Sequence, residues 1–462
     1  MAGKMSLRPG FERRIRKIVG GEHVQDSPED MICYGYDATS ETGIPDLVVH
    51  PGSRDEVVSI VKEAAAGKIP LVPRGAGTGL SGGALANRGG IVLHFDRMNS
   101  ILGLDVENQK AVVQPGVING DFKDAVAHHG LFYPPDPGST RVCTLGGNIA
   151  ENAGGAYGSR YGVTGDYVLG LEAVLATGEV LRTGSTARRD VAGYDLTRLL
   201  VGSEGTLAVI TEATLRLIQA PRARSAAFFS FSDFSDALAA VRAIGAEGLE
   251  AAALEIMDRT TLECLDRYLP GRLPVSAAVL LVELHGSSDD CVAGMLDQAV
   301  AAATSNGGET VKTAQNESCE DFWEWRRAVS PSLGQVAASK IGEDICVPVG
   351  NIGLMHEMIT AISKRYDLRI AVFGHVGDGN LHPNILTDRR DPTAMMRTEE
   401  AISELFRAAV ELGGTISGEH GIGITKSAYM SMMRDPVSLG MMAAIKKVFD
   451  PEGILNPGKI LQ

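Results

Sequence analysis

The feature that most constrains this chain is Pro73-Arg74-Gly75-Ala76-Gly77-Thr78-Gly79-Leu80-Ser81-Gly82-Gly83, a loop with almost no side chains between two apolar runs. Five glycines in nine residues (Gly75, Gly77, Gly79, Gly82, Gly83) cost backbone entropy that a plain turn would not need. Successive N–H groups in glycine turns form anion-binding nests, so the run predicts a phosphate-bearing ligand laid along main chain. Gly77 to Gly82 also satisfies G-x-G-x-x-G, and Asp96 follows the next strand, Ile91 to Phe95, at the spacing of a ribose-binding acid. A nicotinamide fold, however, needs a crossover helix whose N-terminus receives the pyrophosphate. Only Gly83 to Gly90 separate loop from strand, against the dozen or more residues of a parallel crossover. The nicotinamide reading fails.

The glycine excess, 55 of 462 residues, is no low-complexity tail, because hydrophobic residues still make up 44%. A formal charge of −14 opposes nucleic-acid binding, which rests on basic side chains neutralising phosphates. No run reaches the ~18 apolar residues of a membrane span. The basic start, MAGKMSLRPGFERRIRKIVG, has no apolar core or cleavage pattern and so does not read as a signal peptide. Its Phe11, Ile15 and Ile18 predict a short amphipathic helix docking on the body of the protein. Cys33, Cys143, Cys264, Cys291, Cys319 and Cys346 show no paired spacing, which predicts buried, reduced thiols and a cytoplasmic location.

Four zones follow: an N-terminal helical segment (1–46), a glycine-loop domain of short strands (47–220), a second domain (221–414) and a C-terminal segment (415–462). In the second domain, strand-like AAFFSFS, SAAVLLVELHG and RIAVFGHVGDGNLHPNIL alternate with helical FSDALAAVRAIGAEG and CVAGMLDQAVAAATS. Strands and helices outside a strict βα rhythm predict an α+β fold.

A second side-chain-poor segment, PPDPGSTRVCTLGGNIAENAGGAYGSRYG, implies a long ligand contacted chiefly by backbone. With PRGAGTGLSGG and Gly202-Ser203-Glu204-Gly205-Thr206-Leu207, it resembles the FAD-binding domain of the vanillyl-alcohol-oxidase superfamily. Within that superfamily the chain is similar, from about residue 35 to its end, to the FAD-linked D-2-hydroxyacid dehydrogenases: D-lactate and D-2-hydroxyglutarate dehydrogenases and the flavin subunit of glycolate oxidase. The resemblance implies a two-part FAD-binding domain plus a cap (substrate) domain with a large antiparallel sheet flanked by helices, the C-terminal segment returning to the flavin. It implies that Pro73, Arg74, Gly75, Ala76, Gly77, Thr78 and Gly79 wrap the pyrophosphate. Ser139, Thr144, Gly146, Gly147, Asn152, Gly155 and Tyr161 would line the isoalloxazine and ribityl, Glu204, Gly205 and Ile210 the adenine side, with Gly82, Gln114, Asp136 and Asn456 also on FAD. Thr78 stands where some members carry a flavin-linking His, so FAD is expected to be non-covalent.

Gly374-His375-Val376-Gly377-Asp378-Gly379-Asn380-Leu381-His382-Pro383-Asn384 carries two of the ten histidines around a hairpin signal. The turn lets both imidazoles face one side, and His382 and Asn384 share a face by the strand period of two. An imidazole pair suits zinc, manganese or iron(II) but does not complete a site. Ser417-Gly418-Glu419-His420-Gly421-Ile422-Gly423 offers an acid and a further His. The resemblance assigns His375, His382 and Glu419 as metal ligands and His420 as catalytic base. It assigns Arg326 and Ser330 to the substrate carboxylate, Asn384 to the substrate, and Lys340 as a further substrate residue, although the family spacing falls on Gly342. His23, His50, His94, His128, His129, His285 and His356 read as ordinary polar groups.

The implied reaction is oxidation of a D-2-hydroxy acid, D-lactate before glycolate or D-2-hydroxyglutarate, to the 2-oxo acid. Hydride passes to flavin N5, a divalent metal acts as Lewis acid, and His420 takes the hydroxyl proton. With no Fe–S cysteine cluster and no CxxCH, electrons must leave to an external acceptor: an electron-transfer flavoprotein, an iron–sulfur subunit, a cytochrome or a quinone. Such a partner can tether the protein peripherally to a membrane, and a homodimer fits the family. The rival readings are an alkylglycerone-phosphate-synthase-like flavoenzyme, a non-catalytic flavin-binding subunit of a larger complex, and a zinc hydrolase, which leaves both flavin loops unexplained.

Overall fold

The computed structural model describes residues 10–461; the stretch 1–9, part of the start read as no signal peptide, lies outside the described residues. The chain forms two units. One comprises the chain up to Ala153, Val163–Ala220 and the chain from Glu419; the other comprises Gly154–Gly162 and Pro221–Gly418. The crossing falls after Gly418 because Thr415 still pairs with Cys346 (N–O 2.7 Å) and Gly418 N–H donates to Asp344 (2.8 Å).

In the first unit β1 (Val24–Gln25), β2 (Leu47–Val49), β3 (Leu71–Arg74) and β4 (Ile91–His94) form a sheet in the order β1-β2-β4-β3. Both β2 and β3 run parallel to β4. This corrects one premise of the sequence argument, since β3 and β4 are parallel neighbours with no crossover helix. The glycine loop itself makes the return, because side chains this small let backbone fold across the strand ends. At Gly90, with φ +88°, a Cβ would stand 2.3 Å from Pro70 O, so only glycine passes. The nicotinamide reading still fails for want of the helix. The helix Phe11–Val19 buries Phe11, Ile15 and Val19 in the core with Val57 and Ile60 of the helix Arg54–Gly67, and Ile18 packs at its margin.

A second sheet follows. It comprises β5 (Ile101–Asp105), β6 (Lys110–Val113), β8 (Val168–Val174), β9 (Val180–Gly184) and β10 (Val209–Arg216), while β7 (Leu131–Phe132) and β11 (Ile218–Gln219) stand outside it. The order is β5-β6-β10-β8-β9, and β7 pairs separately with β11. Burial alternates along β10, as a sheet with one face on a core requires.

The second unit is built on β12 (Ala223–Phe231), β13 (Ala253–Asp258), β14 (Ala278–Gly286), β15 (Glu309–Gln315), β16 (Ser339–Gly342), β17 (Ile345–Cys346), β18 (Arg369–His375) and β19 (Asn380–Thr387). Its order is β15-β12-β14-β13-β18-β19-β16, with β17 on β19, and all pairings are antiparallel. Ser225 Oγ donates to Val292 O of the helix Asp289–Ser305 at 3.1 Å, so that helix covers the face Ser225 points to. The architecture is α+β, with a large antiparallel sheet flanked by helices.

No described helix is long and apolar enough to cross a membrane. The cysteines are free, but Cys33 and Cys291 are exposed, which corrects the expectation that all six are buried. Cys33 closes the short helix Pro28–Cys33, and Cys291 lies in the first turn of its helix on the solvent side.

Candidate active site

In the first unit, close packing shapes the glycine loop. Gly77 (φ +69°) and Gly82 (φ +80°) are left-handed, a conformation that favours glycine. A Cβ on Gly75 would stand 2.2 Å from Thr144 Oγ1, and one on Gly146 2.6 Å from Pro115. The loop therefore lies flat against the start of the helix Leu145–Glu151, where Thr144 caps the end by accepting from Gly147 N–H at 3.1 Å. Among the described residues, the amides of Ala76 to Leu80 donate to no protein acceptor. A row of uncommitted N–H groups is what a pyrophosphate requires, so the cradle fits FAD.

Several residues expected on FAD also brace neighbouring backbone and side chains. Arg74 turns its guanidinium to Tyr36 O (2.8 Å) and Ala84 O (3.3 Å). Gln114 accepts from Ser100 N–H (3.0 Å), and Asp136 is paired with Lys123 (2.5 Å). Ser139 O accepts from Cys143 N–H (2.9 Å), and Asn152, at φ +54°, accepts from Gly165 N–H (2.8 Å). Asn456 donates to Gly83 O (2.8 Å) and Glu204 O (2.7 Å). Gly205 (φ +67°) sits against Pro73, and Ile210 packs on the margin of the core.

Glu204 has a bracing role that the sequence did not announce. Its carboxylate accepts from Ile422 N–H and Gly423 N–H, each at 2.7 Å, so it clamps the loop that follows His420. Burial pushes it up to about 7 despite those two bonds. Glu151 is driven well above the carboxylate range, first by burial and then by Glu204, and its Oε2 is buried without a partner. Gly421 (φ +83°) rests on this pair, its Cβ position 2.1 Å from Glu151 Oε2.

In the second unit, strand register gathers the chemistry. β18 and β19 make the expected hairpin, with Phe373 opposite His382 and His375 opposite Asn380. The two imidazoles meet edge to face, centroids 5.1 Å apart. Gly342 lies opposite Asn384 and Lys340 opposite Leu386, so all four positions share the face of His382. Lys340 Nζ hydrogen-bonds Ser330 Oγ, and Ser330 O at 3.2 Å. The structure thus brings Lys340 to Ser330 even though Gly342 occupies the position facing Asn384.

Glu255, missed in the sequence, organises this face. It is fully buried on β13 opposite His375 and accepts from His375 Nδ1 at 2.5 Å. Arg326 donates Nε and Nη2 to the same carboxylate, each at 2.8 Å, and lies over the Phe373 ring at 4.7 Å. Holding His375 by Nδ1 leaves Nε2 as donor atom, the usual arrangement of a metal-ligating His, so the donor set fits a divalent ion. Asp344, also fully buried, accepts from Asn380 Nδ2 (2.7 Å), Ser417 Oγ (2.9 Å) and Gly418 N–H (2.8 Å). It thereby fixes the turn from which Glu419 and His420 follow. Glu419 Oε1 and His420 Nε2 are 4.0 Å apart.

A further cluster went unread. Glu283 is buried on β14, and burial pushing its carboxyl up is outweighed by hydrogen bonds from His285 (2.6 Å) and Arg224 (2.8 Å), which hold it at about 2. Trp323 Nε1 also donates to it, and Tyr157 OH does so at 3.4 Å. Tyr161, expected on the flavin, bonds His285 Nδ1 at 2.9 Å, while Gly155 and Tyr161 both belong to the sheet unit. The available signal was an acid inside an apolar strand, Glu255 in ALEIMD and Glu283 in AVLLVELHG, since a buried charge demands a partner.

Residues 45–184 match the family described as "FAD binding domain", and residues 220–460 match "FAD linked oxidases, C-terminal domain". The chain is 44% identical to glycolate oxidase subunit GlcD of Bacillus subtilis, over 97% of this chain and 96% of that one. It is 35% identical to a D-lactate dehydrogenase of Anaerostipes hadrus (96% and 94% covered). A D-2-hydroxyglutarate dehydrogenase of Stutzerimonas stutzeri is 33% identical (98% and 99% covered). Among solved structures, p-cresol methylhydroxylase shares the fold with a TM-score of 0.82 at 18% identity, covering 100% and 98% of the two chains. An alkyldihydroxyacetonephosphate synthase does so at 0.77 and 19%, covering 99% and 87%.

Proposed function

Because the chain belongs to the FAD-linked oxidase family, with the two-part architecture of the vanillyl-alcohol-oxidase superfamily, we propose that it oxidises a small D-2-hydroxy acid, D-lactate first among D-lactate, glycolate and D-2-hydroxyglutarate. One observation carries the reading: Glu255, His375, His382, Asn384 and Lys340 occupy one face of one sheet, with Arg326 bonded onto it. A catalytically silent flavin subunit has no need of that polar line. The likeness to an alkyldihydroxyacetonephosphate synthase, at 19% identity, extends to the fold alone.

FAD, held non-covalently on the amides of Ala76 to Leu80, supplies a two-electron acceptor when bound, and a divalent ion such as zinc supplies Lewis acidity. His375, His382 and Glu419 would hold the ion; Glu419 follows by one peptide bond the Gly418 that Asp344 fixes. Arg326, with one edge committed to Glu255, offers its remaining Nη1 edge to the substrate carboxylate. Lys340, Ser330 and Asn384 complete that anion site. His420 takes the hydroxyl proton as general base. Electrons then leave to an external acceptor, in keeping with a cytoplasmic protein that works beside an electron-carrier partner.

The test is anaerobic bleaching of the purified flavoprotein by D-lactate, glycolate and D-2-hydroxyglutarate, with metal analysis of the same sample. His420→Ala should keep FAD and metal but slow bleaching by ~10²–10⁴. Flavin that stays yellow with all three acids ends the proposal.

A further inference from the structure

We infer that His50, His94 and Asp96 in the first unit form a second, separate site for a divalent transition-metal ion, Zn²⁺ or Ni²⁺ by its donor chemistry. The sequence had set both histidines aside as ordinary and had weighed Asp96 only as a ribose acid. The fold brings them together because β2 and β4 are parallel neighbours, with Val49 opposite Leu93, so His50, the residue just past β2, and His94, the last of β4, lie side by side. Asp96, two residues past His94, returns to the same side.

The ligand atoms already have chelate spacing. His50 Nδ1 lies 2.7 Å and His94 Nδ1 3.3 Å from the same oxygen, Asp96 Oδ1. One donor atom from each residue falls within 4.8 Å of the other two. A four-coordinate ion with bonds of about 2.0–2.1 Å separates its ligand atoms by about 3.3 Å, so small side-chain adjustments suffice.

A plain His–Asp ion pair accounts for only part of this. One imidazole satisfies that carboxylate oxygen at 2.7 Å, yet a second nitrogen, the buried Nδ1 of His94, is aimed at the same oxygen from 3.3 Å and makes no well-aligned hydrogen bond. Two buried imidazole nitrogens converging on one carboxylate oxygen call for a bound ion or water.

The surroundings agree. Tyr34 packs edge-on to both rings, at 6.1 Å from His50 and 5.3 Å from His94, and fixes their planes. The nearby Arg74 spends its charge on Tyr36 O and Ala84 O rather than on Asp96. Asp96 is half exposed, its side chain at 48%, which gives an ion a way in and leaves a coordination position for water. The set His₂Asp with an open position suits borderline ions such as zinc or nickel rather than calcium or magnesium. Because His94 is the register partner of Arg74 on β3, an ion here would tie the ends of β2 and β4 beside the start of the glycine loop.

The experiment is equilibrium dialysis of the EDTA-stripped, FAD-loaded protein against Zn²⁺, with metal counted per chain. Wild type should retain one equivalent more than either His94→Gln or Asp96→Ala, and Zn²⁺ should raise the melting temperature of wild type more than that of either variant. Asp96 is half exposed, so its replacement tests the site even if His94→Gln fails to fold. Equal Zn²⁺ uptake by wild type and Asp96→Ala overturns the proposal. The readout does not depend on the active-site reading, because His375, His382 and Glu419 are intact in every protein compared.

Discussion

The two units present opposite kinds of surface to the ligands proposed for them. In the first, the glycine loop between β3 and β4 offers amides and almost no side chains, and its shape is set by close approach to Thr144, Pro115 and Pro70. In the second, backbone merely spaces the strands, and the proposed chemistry rests on side chains from β13, β16, β18 and β19 that share one face. A ligand recognised by main chain tolerates little change of volume. A site built of charged side chains tolerates volume change better but little change of charge.

The sharpest way to break that contrast is Gly75→Val. Its Cβ would stand 2.2 Å from Thr144 Oγ1, so the loop must lift and the amide row disperse. FAD retention on a desalting column should fall by at least ~100-fold, as the loss of several anion contacts implies. Full retention would show that side chains hold the coenzyme after all. The matching change in the sheet unit is Glu255→Gln, which keeps volume and removes charge. FAD content should stay at wild-type level, while metal affinity at fixed free Zn²⁺ drops by ~10–100-fold, the usual cost of losing the partner of a ligating His. Loss of FAD from this variant would mean the two means of binding are not separate.

A smaller effect is expected deeper in the same sheet. Trp323→Phe removes one donor from the buried Glu283 carboxylate and leaves Arg224 and His285 in place. Hydrogen bonds to a charged group contribute about 2 kcal/mol, so urea unfolding should report a loss near that value. An unchanged midpoint would mean that Arg224 and His285 already satisfy Glu283.

The same contrast explains what could be read in the sequence. The glycine loop was legible because its information is local: five glycines in a row of nine positions demand unusual backbone wherever the rest of the chain lies. The hairpin of His375 and His382 was legible for the same reason, its turn lying between the two. What was missed depends on register. Glu255 meets His375 across 120 positions of sequence and Arg326 across 71, and no local pattern announces either contact. The resemblance placed Glu204 by the adenine, and no local pattern announces that its carboxylate also holds Ile422 and Gly423, more than two hundred positions away. His50 and His94 looked ordinary because each is ordinary alone; only parallel pairing of β2 with β4 makes them neighbours.

The gentlest test concerns buried charge in the first unit, beneath the glycine backbone. Glu151 and Glu204 are buried together and both are raised, Glu204 to about 7. In the unfolded chain a glutamate ionises near 4.5, so between about pH 4.5 and 7 the folded protein holds a proton that the unfolded chain has released. Stability from this source is therefore complete below pH 4.5 and declines as pH rises towards 7, by at most about 1.4 kcal/mol per pH unit for one proton. Glu151→Gln keeps the neutral shape and removes one of the two acids. Its urea midpoint should fall less steeply than that of wild type across this window, with the two proteins nearly equal at pH 4.5. Parallel slopes would place the proton elsewhere and leave Gly421, packed on both carboxyls, resting on a pair that is ionised throughout.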